Sequence, residues 1–182
     1  MKIEQFSKRY KSTHISLERV RSRAKVTVFT GPNGAGKTTV LKALATLIAY
    51  EGKAMCQGTT MYAEESFRYP DAMQTGEYLM LLQRLGKGNH VRMDALIDVF
   101  GLCACLEKPL SALSKGFKQK VNLVQALMED VDTYVLDEPL SGLDQNSQEK
   151  LFAFIEKDEK KYIIATHRWT DKKAVRGKAV AL

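Results

Sequence analysis

The segment Gly31-Pro-Asn-Gly-Ala-Gly-Lys-Thr-Thr39 fits G-x-x-x-x-G-K-[ST] at every fixed position. Lys25-Val-Thr-Val-Phe-Thr30 precedes it, β-branched as a buried strand should be. Val40, Leu41, Leu44, Leu47 and Ile48 follow at helical spacing, with Gly52 as the expected stop. A strand, a glycine-rich loop and a helix in that order form a phosphate-binding element. A polyphosphate carries several negative charges that must be met without bulky side chains in the way. Gly31, Gly34 and Gly36 let successive backbone N–H groups point inward as an anion nest, and the helix that follows aims its positive end at the same place. The loop residues Pro32, Asn33, Ala35 and Thr39 complete the cradle. Lys37 is expected to reach the β- and γ-phosphates, and the Thr38 hydroxyl to take one position on Mg²⁺.

Strands and helices alternate along the chain. Short strands are expected at Ile3 to Phe6 and Val26 to Phe29, and residues 53–63 read as a hairpin of two short strands around Gln57-Gly58. Three helical periodicities follow: Tyr78, Leu79, Leu82 and Leu85; Met93, Leu96, Ile97 and Phe100, stopped by Gly101; and Phe117, Val121, Val124 and Met128. Tyr134-Val-Leu136 and Tyr162-Ile-Ile-Ala165 read as buried parallel strands, separated by an amphipathic helix from Gln148 to Glu156. The pattern predicts an α/β fold: a mostly parallel sheet flanked by helices, a small antiparallel part, and a helical subdomain inserted at about residues 67–130. With 182 residues, 45% of them hydrophobic, and no linker-like stretch, the expectation is one domain over residues 1–182.

The strand at Tyr134 to Leu136 ends in Asp137-Glu138, and two carboxylates at the end of a buried strand are costly unless they act on something. Asp137 is expected to hold Mg²⁺, and Glu138 to orient and polarise an attacking water. No apolar run approaches the roughly 18 to 20 residues of a membrane helix, and the N-terminus lacks the apolar core of a secretion signal. These features point to a soluble, cytoplasmic chain. Cys56, Cys103 and Cys105 are an odd count without zinc spacing, so they are read as reduced thiols. The net charge is +7, with basic clusters at residues 8–11, 19–25 and 168–178. Those clusters could follow a nucleic-acid backbone or an anionic membrane, or be a solvated basic face that attracts a nucleotide.

Between the two acidic and phosphate elements lies Leu113-Ser-Lys-Gly-Phe-Lys-Gln-Lys120, and here the sequence resembles the ATP-binding cassette (ABC) ATPases. Their signature is L-S-G-G-Q; this chain keeps the leucine, Ser114 and Gly116, and has Lys115 and Phe117 where the family has glycine and glutamine. Ser141-Gly-Leu-Asp144 is similar to the family's D-loop, and Ala165-Thr-His167 to its switch histidine. The resemblance implies a P-loop NTPase fold, ATP and Mg²⁺ as cofactors, and Lys37, Glu138 and His167 as the catalytic set. It implies a second ATPase subunit, identical or related, whose phosphate loop faces Ser114 and Gly116, with Asp144 at the interface. Tyr10 is the candidate for stacking on adenine. In Met61-Tyr-Ala-Glu64 the carboxylate of Glu64 aligns with the family's metal-sensing glutamine, with Glu65 as the competing assignment.

The resemblance further implies a transport ATPase, of exporter-like kind, held at the inner face of the membrane by a separate integral permease. Two alternatives stand beside it: a soluble relative acting on DNA or ribosomes, disfavoured by the lack of a coiled-coil insertion or a second cassette, and a non-hydrolysing cassette in a heterodimer. Nucleic acid is not the favoured partner.

Overall fold

The computed structural model describes residues 1–11, 13–66, 68–86, 88–167 and 177–182. The C-terminal basic cluster at 168–178 therefore lies largely outside the described residues.

Two sheets form. β1 (Lys2–Arg9), β2 (His14–Arg21) and β4 (Glu51–Met55) make an antiparallel sheet in the order β2-β1-β4. β3 (Val26–Thr30), β5 (Thr60–Ala63), β6 (Thr133–Asp137), β7 (Lys161–Ala165) and β8 (Gly177–Ala181) make the second, in the order β5-β6-β7-β3-β8, with every pair parallel. Side chains alternate across a strand, so each parallel strand serves two cores. Val26, Val28, Tyr134, Leu136, Tyr162 and Ile164 pack into one apolar cluster, while Phe29, Val135, Ile163 and Ala165 pack into the other. The first cluster is closed by α2 (Thr75–Leu85), α3 (His90–Phe100), α4 (Lys115–Leu127) and α5 (Gln145–Lys157). The second lies between the parallel sheet, α1 (Lys37–Leu44) and the antiparallel sheet, whose Ile3, Phe6, Ile15 and Ala54 face it.

Between β5 and β6 the second and third periodicities match buried helix faces, whereas on α2 Tyr78 and Leu79 are buried, Leu82 is half-buried and Leu85 is 75% exposed. Met93, Leu96, Ile97 and Phe100 are all buried on α3, which ends at Gly101 in a left-handed conformation. Phe117 is half-buried, Val121 and Val124 are buried on α4, and Met128 is buried at its C-cap.

Three expectations need correction. Residues 53–63 are not a hairpin: β4 pairs antiparallel with β1, whereas β5 pairs parallel with β6. Strand propensity marks both segments but not their partners, which lie far away in sequence; Asp132 holds the crossing point by accepting from the Thr59 N–H and hydroxyl. α1 ends at Leu44 rather than running to Ile48. Thr46 takes a positive φ of 60°, the N–H groups of Thr46 and Leu47 turn back to the carbonyls of Ala43 and Lys42, and Leu47 is 57% exposed. Gly52 lies within β4 instead of stopping that helix. β2 and β8 were not anticipated; Ile15 and Leu17 carry a short period-two signal, and the run Lys178-Ala-Val-Ala is too brief to stand out.

Candidate active site

The C-terminal ends of β3 and β6 open onto a cleft of about 420 Å³ lined by Tyr10, Thr13, Ile15, Asn33, Gly34, Gly36, Lys37, Thr38, Thr39, Glu65, Asp137 and Glu138. Open parallel sheets place their ligands at that end. The loop is shaped by its glycines, and Gly36 shows why one position admits nothing larger. It caps α1 with φ 98°, and a Cβ there would fall 2.7 Å from the Ile15 side chain. The Lys37 ammonium, only 7% exposed, donates to the carbonyls of Gly31 at 2.9 Å and Pro32 at 3.0 Å. Glu138 Oε1 lies 3.9 Å from it. Ala35 closes the turn by donating its N–H to the Pro32 carbonyl.

β6 delivers the acidic pair. Asp137, 4% exposed, accepts from the Tyr62 hydroxyl at 3.2 Å through Oδ2, while Oδ1 has no hydrogen-bond partner among the described residues. Burial raises the Asp137 pKa; the Thr38 and Tyr62 hydroxyls pull it down, and the neighbouring carboxylates of Glu138 and Glu65 push it up again. A buried carboxylate with one orphaned oxygen and a threonine hydroxyl beside it fits a hard divalent cation whose other oxygens come from phosphate and water. Thr38 and Asp137 would hold Mg²⁺, directly or through water, and its charge would offset that of phosphate oxygens.

Glu138 adopts a positive φ of 45°, uncommon for a side chain of this size. Its N–H donates to the Ala165 carbonyl on β7 at 2.8 Å, which ties the end of β6 to the end of the neighbouring strand. Its Oε1 accepts from the His167 N–H at 3.1 Å and lies 3.0 Å from His167 Nδ1. A carboxylate held by a histidine beside a phosphate loop has the arrangement of a general base for water.

Not every expected residue gathers here. Glu65 lines the cleft, whereas Glu64 borders a separate depression with Lys42, Tyr62 and Gln125, and its carbonyl accepts from Asn122 at 2.7 Å. Tyr10 stands at the cleft, 45% exposed, with the Lys8 ammonium 5.5 Å from its ring centre. Ser114 and Gly116 do not line the cleft. Ser114 caps α4 with its hydroxyl accepting from the Phe117 N–H, and is exposed. The start of α4 is instead bound to the 139–144 segment: Gln119 donates to the Pro139 carbonyl, Lys120 pairs with Asp144 at 3.3 Å, and a Cβ on Gly116 would meet the Gly142 carbonyl at 2.8 Å. Asp144 also caps α5 by accepting from Ser147; those bonds, and then Lys120, hold its pKa down to about 2. Sequence reasoning missed Tyr62, whose partner lies on another strand.

A parallel sheet with a phosphate loop, a metal-competent aspartate and a histidine-braced glutamate defines a nucleoside-triphosphatase domain. The family model for ABC transporters matches residues 16–141. The chain belongs to that family of ATP-binding transporter domains, which hydrolyse ATP. It is 30% identical over 158 residues to the zinc transport system ATP-binding protein TroB of Treponema pallidum, which covers 75% of this chain and 59% of that protein. It is 29% identical to the zinc import ATP-binding protein ZnuC of Wolbachia pipientis, over 91% of this chain and 70% of that protein. The cytochrome c biogenesis ATP-binding export protein CcmA of Brucella abortus is 28% identical, over 66% and 61%. Among solved structures, an ATP-binding subunit of an ABC transporter superposes with a TM-score of 0.84 at 22% identity, over the whole of this chain and 85% of that one. Archaeal ABCE1, in a model of the ribosome-bound Pelota complex, superposes with 0.76 at 27% identity, over 91% of this chain and 29% of that chain. Among the described residues no helix is long and apolar enough to cross a membrane.

Proposed function

We propose that this chain is the ATP-hydrolysing subunit of a membrane transporter, closing as a dimer on ATP and reopening on hydrolysis. One observation carries the composite-site reading: the signature residues Ser114 and Gly116 stand outside the cleft that holds Lys37, Thr38, Asp137 and Glu138. Ser114, its exposed hydroxyl at the N-terminus of α4, is available to a phosphate held by a second subunit, identical or related. In this reading ATP and Mg²⁺ sit on the phosphate loop, with Asn33, Gly34, Gly36, Lys37, Thr38 and Thr39 around the phosphates and Tyr10 against the base. Glu138 activates water, with His167 holding its carboxylate. Glu65 replaces Glu64 beside the metal, because it is the one at the cleft.

A separate integral permease is the partner that would hold the chain at the inner face of the membrane. TroB, ZnuC and CcmA support this, being ATP-binding proteins of transport, import and export systems respectively. Those relatives lie on both sides of the direction question, so the exporter-like assignment is not carried forward; the direction of movement follows from the permease. The likeness to ABCE1 in a ribosome-bound complex favours the soluble alternative, and the same experiment separates the two.

Glu138→Gln is the informative variant, since it keeps the shape of the site and slows turnover. With ATP and Mg²⁺ it should run as a dimer in light scattering, and as a monomer without nucleotide. A monomer under both conditions would contradict the composite site. Capture of the native chain from detergent-solubilised membranes should recover an integral membrane protein; recovery of ribosomal particles instead would favour the soluble reading.

A further inference from the structure

Among the described residues, two buried side-chain oxygens lack a hydrogen-bond partner, Thr133 Oγ1 and Asp137 Oδ1. The second shares its carboxylate with an oxygen that accepts a hydrogen bond. Tyr62 Oη donates to Asp137 Oδ2 at 3.2 Å, so the two ends of one carboxylate are in opposite states. The sheet register sets this contact. Tyr62 is in register with Val135 on the parallel neighbour β6, and Asp137 comes two residues after Val135, on the same face. The Tyr62 ring is packed against the apolar cluster that contains Val135, Val40, Leu41 and Leu44, under α1. An ordinary tyrosine hydroxyl is protonated at neutral pH and serves as the donor here.

We propose that Tyr62 is a positioning residue for the cation site: by engaging Oδ2 it fixes the Asp137 carboxylate so that Oδ1 is presented to Mg²⁺ or to its water. This rests on the reading of Asp137 as the residue that binds the cation. A carboxylate bound to a metal through one oxygen commonly has the other held by a neighbouring donor, and loss of such a donor costs about 10- to 100-fold in metal affinity. Tyr62, whose hydroxyl donates to Asp137 Oδ2, is in place to do this from the sheet. Thr38 also lowers the Asp137 pKa, but it sits on the phosphate loop and is itself expected to bind the metal.

The test measures binding, not turnover. In a Glu138→Gln background, the affinity for a fluorescent ATP analogue is determined with Mg²⁺ and in EDTA, and the ratio reports what the cation adds. Asp137→Asn should bring the ratio close to one. Tyr62→Phe, which keeps the packed ring, should lower the ratio about tenfold while leaving affinity in EDTA unchanged. Electron paramagnetic resonance of Mn²⁺ with the nucleotide should show the same order of variants. A ratio that survives Asp137→Asn would overturn the reading of the metal site itself. A ratio that falls in Asp137→Asn but stays at the parent value in Tyr62→Phe would overturn the positioning role alone, whatever the second variant does to stability. Equal weakening of binding with and without Mg²⁺ in Tyr62→Phe leaves the ratio fixed and counts against the proposal in the same way.

Discussion

Lys37 and Gly116 show how single positions set the site. A buried ammonium is costly unless its protons are taken up. Lys37 meets this with the Gly31 and Pro32 carbonyls and with Glu138 nearby, so the ammonium proposed to meet phosphate is held in place by the loop that carries it. Gly116 is a matter of space. Its Cα lies so close to the Gly142 carbonyl that a methyl group would come within 2.8 Å of that oxygen. Helix propensity alone favours Gly116→Ala by up to about 1 kcal/mol, whereas forcing backbone apart costs about 1–3 kcal/mol. The clash is with a backbone oxygen and should win. Gly116→Ala is therefore expected to lower the unfolding free energy by about 1 kcal/mol or more, read from the urea midpoint; a more stable variant would show that the two segments give way freely. Residues of this kind were legible in the sequence because phosphate loops and signature segments are contiguous, and each residue's chemistry is declared by its immediate neighbours. Tyr62 was not legible, because its meaning depends on pairing with a strand more than seventy positions away. The choice between Glu64 and Glu65 was equally invisible: adjacent carboxylates cannot be told apart until the backbone after β5 sends one to the cleft and the other to a neighbouring depression.

At the scale of elements, the helical insertion and the sheet are joined by polar side chains as well as apolar ones. Arg92 on α3 donates to the Leu127 carbonyl at the end of α4 and pairs with Asp158 at 2.7 Å; Asp158 also accepts from Tyr162 on β7. Burial raises the Asp158 pKa, but the bonds from Arg92 and Tyr162 outweigh it and the net shift is downward. A carboxyl whose folded pKa is depressed stabilises the fold above its ordinary pKa of about 3.9, and that contribution fades as pH falls through the folded value. Asp158→Asn should thus cost about 1–3 kcal/mol near neutral pH, and the gap from the parent chain should narrow below about pH 4. Urea midpoints from pH 7 to pH 2 measure this, and a gap constant over the whole range would exclude the charge as its source. The order of elements was readable because buried strands and amphipathic helices differ in period. Partnership between strands was not: β4 and β5 looked like a hairpin because both are short and adjacent, yet each finds a different sheet.

For the whole molecule, the parallel sheet acts as a platform whose C-terminal edge lines up the phosphate loop after β3, the acidic pair at the end of β6 and His167 after β7. The Glu138 N–H bonded to the Ala165 carbonyl, and the Thr166 N–H bonded to Phe29, stitch these ends together. The family model stops at residue 141, so β7 and the His167 that follows it fall beyond the matched span, yet the histidine lies against Glu138. The chain spans 59% of TroB and 70% of ZnuC, and the activity proposed for it is that of the cleft it contains. Whether Glu138 activates water on an ATP held by Lys37 is read from steady-state phosphate release by the purified chain. The parent chain should hydrolyse ATP in a Mg²⁺-dependent way, Glu138→Gln should fall about 100-fold or more with ATP binding retained, and Lys37→Ala should lose binding. Turnover in Glu138→Gln equal to that of the parent chain would contradict the role of Glu138.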